Sequence, residues 1–530
     1  MIISTRTKDL TILIVVYFLA YGLMLLNRNI YWDDWVWYEL RPDLLKNSMS
    51  QLGYPGLAYL HIWLQKGGVL LYRYFTFACY LVAAIALYLA LSANDKIPRL
   101  YRLFITLVFA IFPVNSARIL ICTVHYSLSY AAFFIAFYAF SKYVATRKWK
   151  FGILAWVLFA GSSYLVNSLL VFYALIPIYL LFMNYWNQER TQSISELIRS
   201  YGVFLILPIL TFGAKQLWGR PYGIYLGYNS ISLPDASLFP RQIAYVIHEC
   251  LFKPVKFAFK AGASTPWLWA ISALVLVGLI VVMRRMTSKI ASRESSFERY
   301  PIFNLLLGLI MLLLAIIPYM VVGKTPEALG WESRHQLLVP LGCAWLVVAL
   351  AVQLQKITKI PAILVLSIFC SVFVAGNIRD NLIYVRDGFK QESIMMNAAS
   401  DKQLEQGGGT TYFMRDSTKD LNWNSRCVSF YEYAGMFSQA FREETRLPIG
   451  DCELSNFDSM KPAFTASYHL NAVAIALPTK EIRIGYGTYK LDFVGTIKLI
   501  CQYYINPMQY RTNIRQIVQL HVVPFVPPTQ

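Results

Sequence analysis

The chain has 530 residues, of which 57% are apolar and only 15% are charged. Soluble domains have about 45–50% apolar and about 25% charged residues, so this composition excludes a soluble enzyme, a disordered scaffold and a small disulfide-rich secreted domain. The formal charge of +19 comes from Lys and Arg spread between apolar runs. That distribution favours the loops of a membrane protein that handles an anionic lipid or phosphate over nucleic-acid binding.

Long apolar runs recur along the first three quarters of the chain. A transmembrane helix needs about 20 mostly apolar residues. By this criterion the sequence predicts about 11 spans, at 9–27, 70–92, 101–115, 125–144, 151–166, 168–186, 201–217, 266–283, 302–322, 337–353 and 360–377. The first run is too long for the apolar region of a signal peptide and is interpreted as an uncleaved span. The expected fold is an all-α polytopic bundle.

The loops predicted on one side of the membrane are short and basic. Their Lys and Arg residues are Arg6, Lys8, Lys96, Arg99, Arg102, Lys142, Arg147, Lys148, Lys150, Arg190, Arg199, Arg284, Arg285, Lys289, Arg293, Arg299, Lys356 and Lys359. By the positive-inside rule this side is cytoplasmic. We therefore expect a multi-pass protein of the plasma (inner) membrane with a cytoplasmic N-terminus and, after an odd number of spans, an extracytoplasmic C-terminus.

The composition changes at about residue 378, where the apolar runs shorten and turn residues such as Gly407–Gly409 become frequent. Strand-like and helix-like segments follow one another from there to the end. The predicted strands are Thr410–Met414, Ala472–Leu477 and Glu481–Tyr486, and the predicted helices are Tyr431–Glu444 and Val494–Tyr504. The sequence predicts a membrane domain at 1–377 and an extracytoplasmic α/β domain at 378–530.

The loop after the first span contains two adjacent carboxylates, Asp33 and Asp34, among aromatic residues. Ionisable groups at the edge of a bilayer are costly and are often functional. Low-dielectric surroundings would raise the pKa of either carboxylate into the range of a general base that acts on a hydroxyl. Tyr31, Trp32 and Trp35 offer flat faces for a sugar or an isoprenoid chain. The pair is the candidate catalytic centre.

A second candidate group lies in the loop that returns to the membrane at 323–336. Arg334 can bind a phosphate through two parallel hydrogen bonds, and a protonated His335 would add a second charged donor. Lys324 in the same loop and Arg118 in an earlier loop are further candidates for phosphate contacts. These four residues form the predicted donor phosphate site.

Each group also has a purely structural interpretation. Asp33 or Asp34 could cap an interfacial helix that extends to about Leu45, with the tryptophans as membrane anchors. Arg334 could reach the lipid head groups with Glu332 as its local partner. Both interpretations stay open for the sequence alone, and a capping carboxylate can still point into a cavity.

The acidic pair after the first span, Trp32–Trp35, resembles the first loop of multispanning glycosyltransferases of the GT-C type, and Ser333–His335 resembles their late-loop Arg motif. That group includes protein O-mannosyltransferases, the lipid A aminoarabinose transferase and O-antigen glucosyltransferases. The resemblance implies an inverting transfer of a sugar from a polyprenyl phosphate to an acceptor hydroxyl of a glycan, lipid or protein. It implies that Asp34, or else Asp33, is the base. No metal ligand is assigned, and a divalent metal stays open.

Two other function classes fit the composition. A transporter or flippase of an anionic lipid-linked glycan should show repeat symmetry and Gly/Pro-broken helices at the bilayer midplane, and the sequence shows neither clearly. A non-catalytic cell-envelope scaffold would leave the acidic pair without a role except as a cap. The sequence therefore favours an enzyme, a membrane glycosyltransferase.

Overall fold

A computed structural model describes residues 5–93, 97–186, 193–227, 229–231, 237, 239–263, 265–287, 296–466 and 475–526. The first part of the chain folds into helices α1 (Thr5–Tyr21), α2 (Asp34–Trp37), α3 (Pro42–Gln51), α4 (Leu57–Gln65), α5 (Gly68–Leu91), α6 (Arg99–Ile111), α7 (Val124–Thr146), α8 (Trp149–Leu165), α9 (Ser168–Phe172) and α10 (Leu175–Trp186). The middle part forms α11 (Ile194–Trp218), α12 (Phe239–Ile247), α13 (Lys253–Ala263), α14 (Pro266–Thr287), α15 (Ser296–Arg299), α16 (Pro301–Met320), α17 (Val339–Thr358) and α18 (Ala362–Ala398).

Within the described residues, eight helical segments are long and apolar enough to cross a membrane. They are Thr5–Leu26, Gly68–Leu91, Ile121–Thr146, Ile194–Trp218, Pro266–Met286, Pro301–Met320, Val339–Thr358 and Ala362–Ala398. Many of their apolar side chains are exposed on the outside of the bundle, as expected of surfaces that face lipid. The chain is a multi-pass membrane protein.

Each of the eleven predicted spans contains a helix, but the structure supports eight spans by length and composition. The other three predictions are 101–115, 151–166 and 168–186. The first coincides with α6, which has 13 residues, and the second coincides with α8, which has 17 residues. The third contains two short helices, α9 and α10, which are separated by a turn at 173–174. Most of α6 is buried against α5 and α17, so neighbouring helices shield it and it does not need a full bilayer length of its own.

Segments predicted to share the basic side of the membrane meet at one end of the bundle. Arg99 pairs with the buried Asp9 of α1 at 2.6 Å. The Tyr101 hydroxyl donates to a carboxylate oxygen of Glu298 at 2.6 Å, and Lys356 donates to the backbone carbonyl of the same residue at 2.6 Å. Helix α15 and the ends of α1, α6 and α17 therefore lie together.

The C-terminal region contains α19 (Lys402–Glu405), α20 (Phe430–Phe441), α21 (Asp451–Ser455), α22 (Phe457–Ala466), α23 (Phe493–Ile505), α24 (Pro507–Arg515) and strands β1 (Thr411–Asp416), β2 (Leu447–Ile449), β3 (Lys480–Tyr486) and β4 (Val518–Pro524). The sheet order is β2-β1-β3-β4, in which β1 is parallel to β2 and β3, and β4 is antiparallel to β3. The strands predicted at Thr410–Met414 and Glu481–Tyr486 are confirmed as β1 and β3 of a small mixed sheet. Of the predicted strand Ala472–Leu477, residues 472–474 lie outside the described residues, and 475–477 are not in a strand.

Helix α18 joins the two parts of the molecule. It continues without a break through residue 378, where the sequence predicts the domain boundary, and ends at Ala398. Its second half supplies Val385, Phe389 and Ile394 to the hydrophobic core under the sheet. The C-terminal domain is therefore built on the end of a membrane-spanning helix.

Candidate functional site

The acidic loop has an unusual backbone at its first tryptophan. Trp32 has a φ of +48°, a left-handed conformation that bulky residues rarely adopt. Its N–H donates to Oε2 of Glu432 at 2.9 Å, and its ring lies 4.3 Å from the Arg426 guanidinium. Such backbone strain persists only where surrounding contacts hold it, and it concentrates at functional sites. Contacts with the C-terminal domain thus fix the loop immediately before the two acids.

Asp34 is fully buried. Its Oδ1 accepts the backbone N–H of Cys122 at 3.0 Å, and its Oδ2 accepts the N–H of Tyr31 at 3.3 Å. Burial raises the pKa of Asp34 to about 6, although the charge of Arg73 and the backbone donors oppose that shift. In this conformation the Asp34 carboxylate joins the acidic loop to the start of α7 and has no exposed surface for a substrate.

Asp33 is half-buried and faces a different set of groups. Burial raises its pKa, while the positive charge of Arg334 and the hydroxyl of Tyr431 lower it. The negative charges of Glu432 and Glu332 add to the upward shift. The first acidic loop, the return loop and α20 therefore converge on Asp33, which makes it the accessible carboxylate of the pair.

Arg334 is held by its own loop. Its guanidinium lies 3.9 Å from the centre of the Trp331 ring, and Nη1 donates to the Trp331 carbonyl at 3.0 Å and to Glu332 Oε1 at 3.2 Å. The Ser333 hydroxyl accepts the N–H of Ala117 at 2.8 Å, which ties this loop to the turn at Ser116–Ile119. Within the described residues Nε and Nη2 make no hydrogen bond, so one edge of the guanidinium is available to an anion.

His335 is fully buried, with Nδ1 at 2.9 Å from Glu332 Oε2 and its ring 4.8 Å from that of Tyr319. Burial lowers its pKa to about 4, so the imidazole is neutral at pH 7. A neutral imidazole adds no second positive charge beside Arg334, and a contact of His335 with a phosphate stays a prediction. Lys324 donates to Oδ1 of Asn229, and its charge contributes to the low pKa of His335.

Arg118 lies in a separate small cavity. Its guanidinium lies 4.1 Å from the Tyr21 ring and 4.7 Å from the Tyr80 ring, and Nε donates to the carbonyl of Asn115 at 3.2 Å. Asp380 and Tyr384 of α18 line the same cavity. The structure therefore groups Arg118 with α1, α5 and α18 and not with Asp33.

The three aromatic residues predicted to contact a sugar or lipid have different environments. Tyr31 is fully buried, and its hydroxyl donates to the carbonyl of Tyr384 at 2.5 Å. The Trp32 ring packs edge-on against Trp423 at 5.6 Å. Of the three, Trp35 lines a cavity of about 400 Å³. Tyr31 is thus a packing residue, while Trp35 borders open space.

Several residues that shape the site were not predicted from the sequence. Glu432 accepts two hydrogen bonds from Arg426, at 2.6 and 2.8 Å, and Nε of Arg426 reaches Asp387 at 3.3 Å. Arg73 in α5 donates to the carbonyl of Asn29 at 2.5 Å. A lone arginine inside an apolar run is a signal that could have identified Arg73. No sequence pattern distinguishes Arg426, whereas Ser429 and Glu432 have the S-x-x-E spacing of a capping box, which could have identified Glu432 as a helix-capping residue.

The described residues contain no group of three His, Cys, Asp or Glu side chains that could hold a metal ion. A carboxylate with a raised pKa beside an arginine with free donors can deprotonate a hydroxyl next to a bound anion. No protein-family model and no curated protein matches this chain.

Proposed function

We propose that this protein is a membrane glycosyltransferase that moves a sugar from a polyprenyl-phosphate donor to an acceptor hydroxyl on the extracytoplasmic face. The observation that carries the proposal is the convergence of Asp33 and Arg334 from loops about 300 residues apart. A transfer of this kind needs a base for the acceptor and a cation for the leaving phosphate, and these two side chains supply that pair.

In the proposed step Asp33 takes the proton of the acceptor hydroxyl. The acceptor oxygen forms a bond to the anomeric carbon while the bond from that carbon to the donor phosphate oxygen breaks. The bond electrons leave on the phosphate, and Arg334 stabilises the charge that develops there. Asp34 acts as a positioning residue, because its oxygens are occupied by backbone donors. This order reverses the expectation from the sequence, which put Asp34 first.

The proposal is tested by sugar transfer in membranes from a panel of radiolabelled polyprenyl-phosphate hexoses. Asp33→Asn removes the base, and we expect turnover to fall about 100-fold or more. Arg334→Ala should also reduce transfer, because the leaving phosphate loses its cation. Asp43→Asn is the matched control: Asp43 is an exposed acid on the neighbouring helix α3, paired with Arg41, and its loss should leave transfer within about twofold.

Normal transfer by a folded Asp33→Asn variant would remove the proposed base. If wild-type protein moves lipid-linked glycans across vesicle membranes without transferring sugar from any donor, the chain is a transporter instead. Size-exclusion profiles of all variants establish that loss of transfer is not loss of folding.

A further inference from the structure

A cavity of about 400 Å³ lies on the other side of the acidic loop, between the bundle and the C-terminal domain. Its walls come from the end of the first span at Leu26, the start of α5 at Val69, the second half of α18, and helices α20, α23 and α24. Ligand pockets in proteins have volumes of about 300–1,000 Å³. The cavity is thus large enough for a monosaccharide-sized head group with part of a chain.

The cavity has an apolar side and a polar side. Leu26, Val69, Val385 and Phe389 provide aliphatic and aromatic surface where the spans end. The polar residues on its walls are Asn27, Asn29, Glu39, Gln391, Glu392 and Gln439. Amide and carboxylate groups hydrogen-bond hydroxyls, and aromatic walls such as Trp35 and Tyr503 offer flat faces to a sugar ring.

The charges on the walls disfavour an anionic ligand. Among the described lining residues, Arg28 is the single cation, and its guanidinium lies 4.2 Å from the centre of the Tyr503 ring. Two carboxylates, Glu39 and Glu392, face the same space, and Glu392 accepts a hydrogen bond from Tyr510 at 2.6 Å. The charged lining residues thus comprise one cation and two acids, a balance that favours an uncharged, hydroxyl-bearing group over a phosphate.

Helix α23 places the cavity at the membrane boundary. Phe493, its first residue, stacks on Trp267 at 3.6 Å, and Trp267 is the second residue of the membrane-spanning helix α14. Ile500 and Tyr503 of α23 line the cavity.

Helix α23 also has an exposed row of side chains, apart from Phe493, which contacts α14, and from Ile500 and Tyr503, which line the cavity. Val494, Lys498, Cys501 and Ile505 recur at helical spacing, and Ile505 is 81% exposed. An apolar row with one Lys, beside the head of a spanning helix, is typical of a helix that lies in the membrane interface.

We infer that this cavity binds the uncharged, hydroxyl-bearing head group of a membrane lipid, which enters from the bilayer beside α23. Its hydroxyls lie against the amide and carboxylate side chains, and its chain leaves along Leu26 and Val69 into the lipid. This binding requires no sugar transfer, so its test is independent of the proposed catalytic step at Asp33.

The test is photolabelling of the full chain in phosphatidylcholine nanodiscs with an alkyl glucoside that carries a diazirine in its chain. We expect label on peptides of the cavity wall around Phe389 and Tyr503, and competition by unlabelled alkyl glucoside but not by free glucose. An alkyl phosphate probe with the same chain should label these peptides several-fold less, because of the carboxylates.

A pair of neighbouring variants makes the test specific. Gln439 is half-buried and lines the cavity, so Gln439→Trp should obstruct it and reduce labelling about fivefold or more. Ser438→Trp adds the same bulk at a half-buried residue outside the lining and should leave labelling within about twofold. Asp33→Asn should label like the wild type.

Equal labelling by the glucoside and the phosphate probe, or label confined to the spanning helices, overturns the proposal. Competition by free glucose as strong as that by the alkyl glucoside overturns entry from the bilayer. Labelling that persists in a folded Gln439→Trp variant places the probe elsewhere and overturns it as well.

Discussion

Asp33 and Asp34 are neighbours in sequence with opposite environments. Successive residues in a helical turn point about 100° apart, so the Asp34 carboxylate is fully buried while Asp33 is half-buried and feels the charge of Arg334. Both oxygens of Asp34 accept backbone N–H groups, from Cys122 and Tyr31, whereas Asp33 faces side chains of the return loop and of α20. At this scale, environment and not residue type separates a positioning acid from a candidate base.

The buried Asp34 predicts a particular pH dependence of stability. Its pKa is raised to about 6 in the folded state, so between about pH 4 and pH 6 the folded protein binds more protons than the unfolded chain. The contribution of Asp34 is therefore fully present below about pH 4 and is lost as the pH rises to 6, with a cost of order 2 kcal/mol in the free energy of unfolding. Asp34→Asn should lack this slope in thermal melts of the detergent-solubilised protein.

Asp43→Asn serves as the control for this measurement, because Asp43 is exposed and should not carry the slope. If Asp34→Asn melts with the same dependence between pH 4 and pH 6 as the wild type, then the carboxylate is not buried as described.

At the scale of elements, Glu432 of α20 connects the C-terminal domain to the acidic loop. Glu432 caps the N-terminus of α20 by accepting the N–H of Ser429 at 3.1 Å, pairs with Arg426 through both oxygens, and accepts the N–H of Trp32 at 2.9 Å. The Glu432 carboxylate thus takes part in a capping box, in a buried ion pair and in the hydrogen bond that holds the strained loop at Trp32.

Removing that carboxylate should destabilise the protein and release the loop. Breaking a buried ion pair by loss of one partner costs about 3–5 kcal/mol, because the other charge stays buried. We expect Glu432→Gln to lower the thermal midpoint strongly and to reduce sugar transfer even below that midpoint. The measurements are thermal melts and transfer assays at a temperature where the variant is folded.

Glu443→Gln is the matched control, since Glu443 is more than half exposed and pairs with Arg446 at 3.5 Å. Its loss should cost less than about 1 kcal/mol. A Glu432→Gln variant as stable and as active as Glu443→Gln would show that the contacts of the Glu432 carboxylate with Arg426 and Trp32 do not stabilise the protein.

At the scale of the whole molecule, the membrane bundle and the C-terminal domain share α18. The 37 residues of this helix begin among the spanning helices and end under the sheet. Buried apolar contacts between α18 and the sheet, through Val385 and Ile394, hold the two parts together.

This arrangement predicts where the C-terminal domain can be cut. A fragment of residues 400–530 lacks Val385, Phe389 and Ile394, and we expect no cooperative transition in its thermal melt by circular dichroism. A fragment of residues 378–530 retains them and should melt cooperatively. Equal melting of the two fragments would show that the sheet and its helices form a complete core without α18.

The positions of the helices were predicted from the sequence more completely than the contacts between distant residues. Every apolar run contains a helix, because burial in lipid requires both apolar side chains and internally paired backbone groups. The sequence also located Asp33, Asp34 and Arg334, since charged groups beside apolar runs stand out. It did not predict the contacts of Glu432 and Arg426, because Trp32 and Asp387, with which they interact, lie far away along the chain.

The amino-acid sequence by itself determined that this is a multi-pass helical membrane protein with helices and strands near its end, because hydropathy and its period are local properties. Only the tertiary structure decided which acid is accessible, that His335 is neutral, and that Arg118 lies apart from Asp33. Those properties depend on which loops meet at one end of the bundle, and contacts between residues hundreds of positions apart leave no local pattern in a single chain.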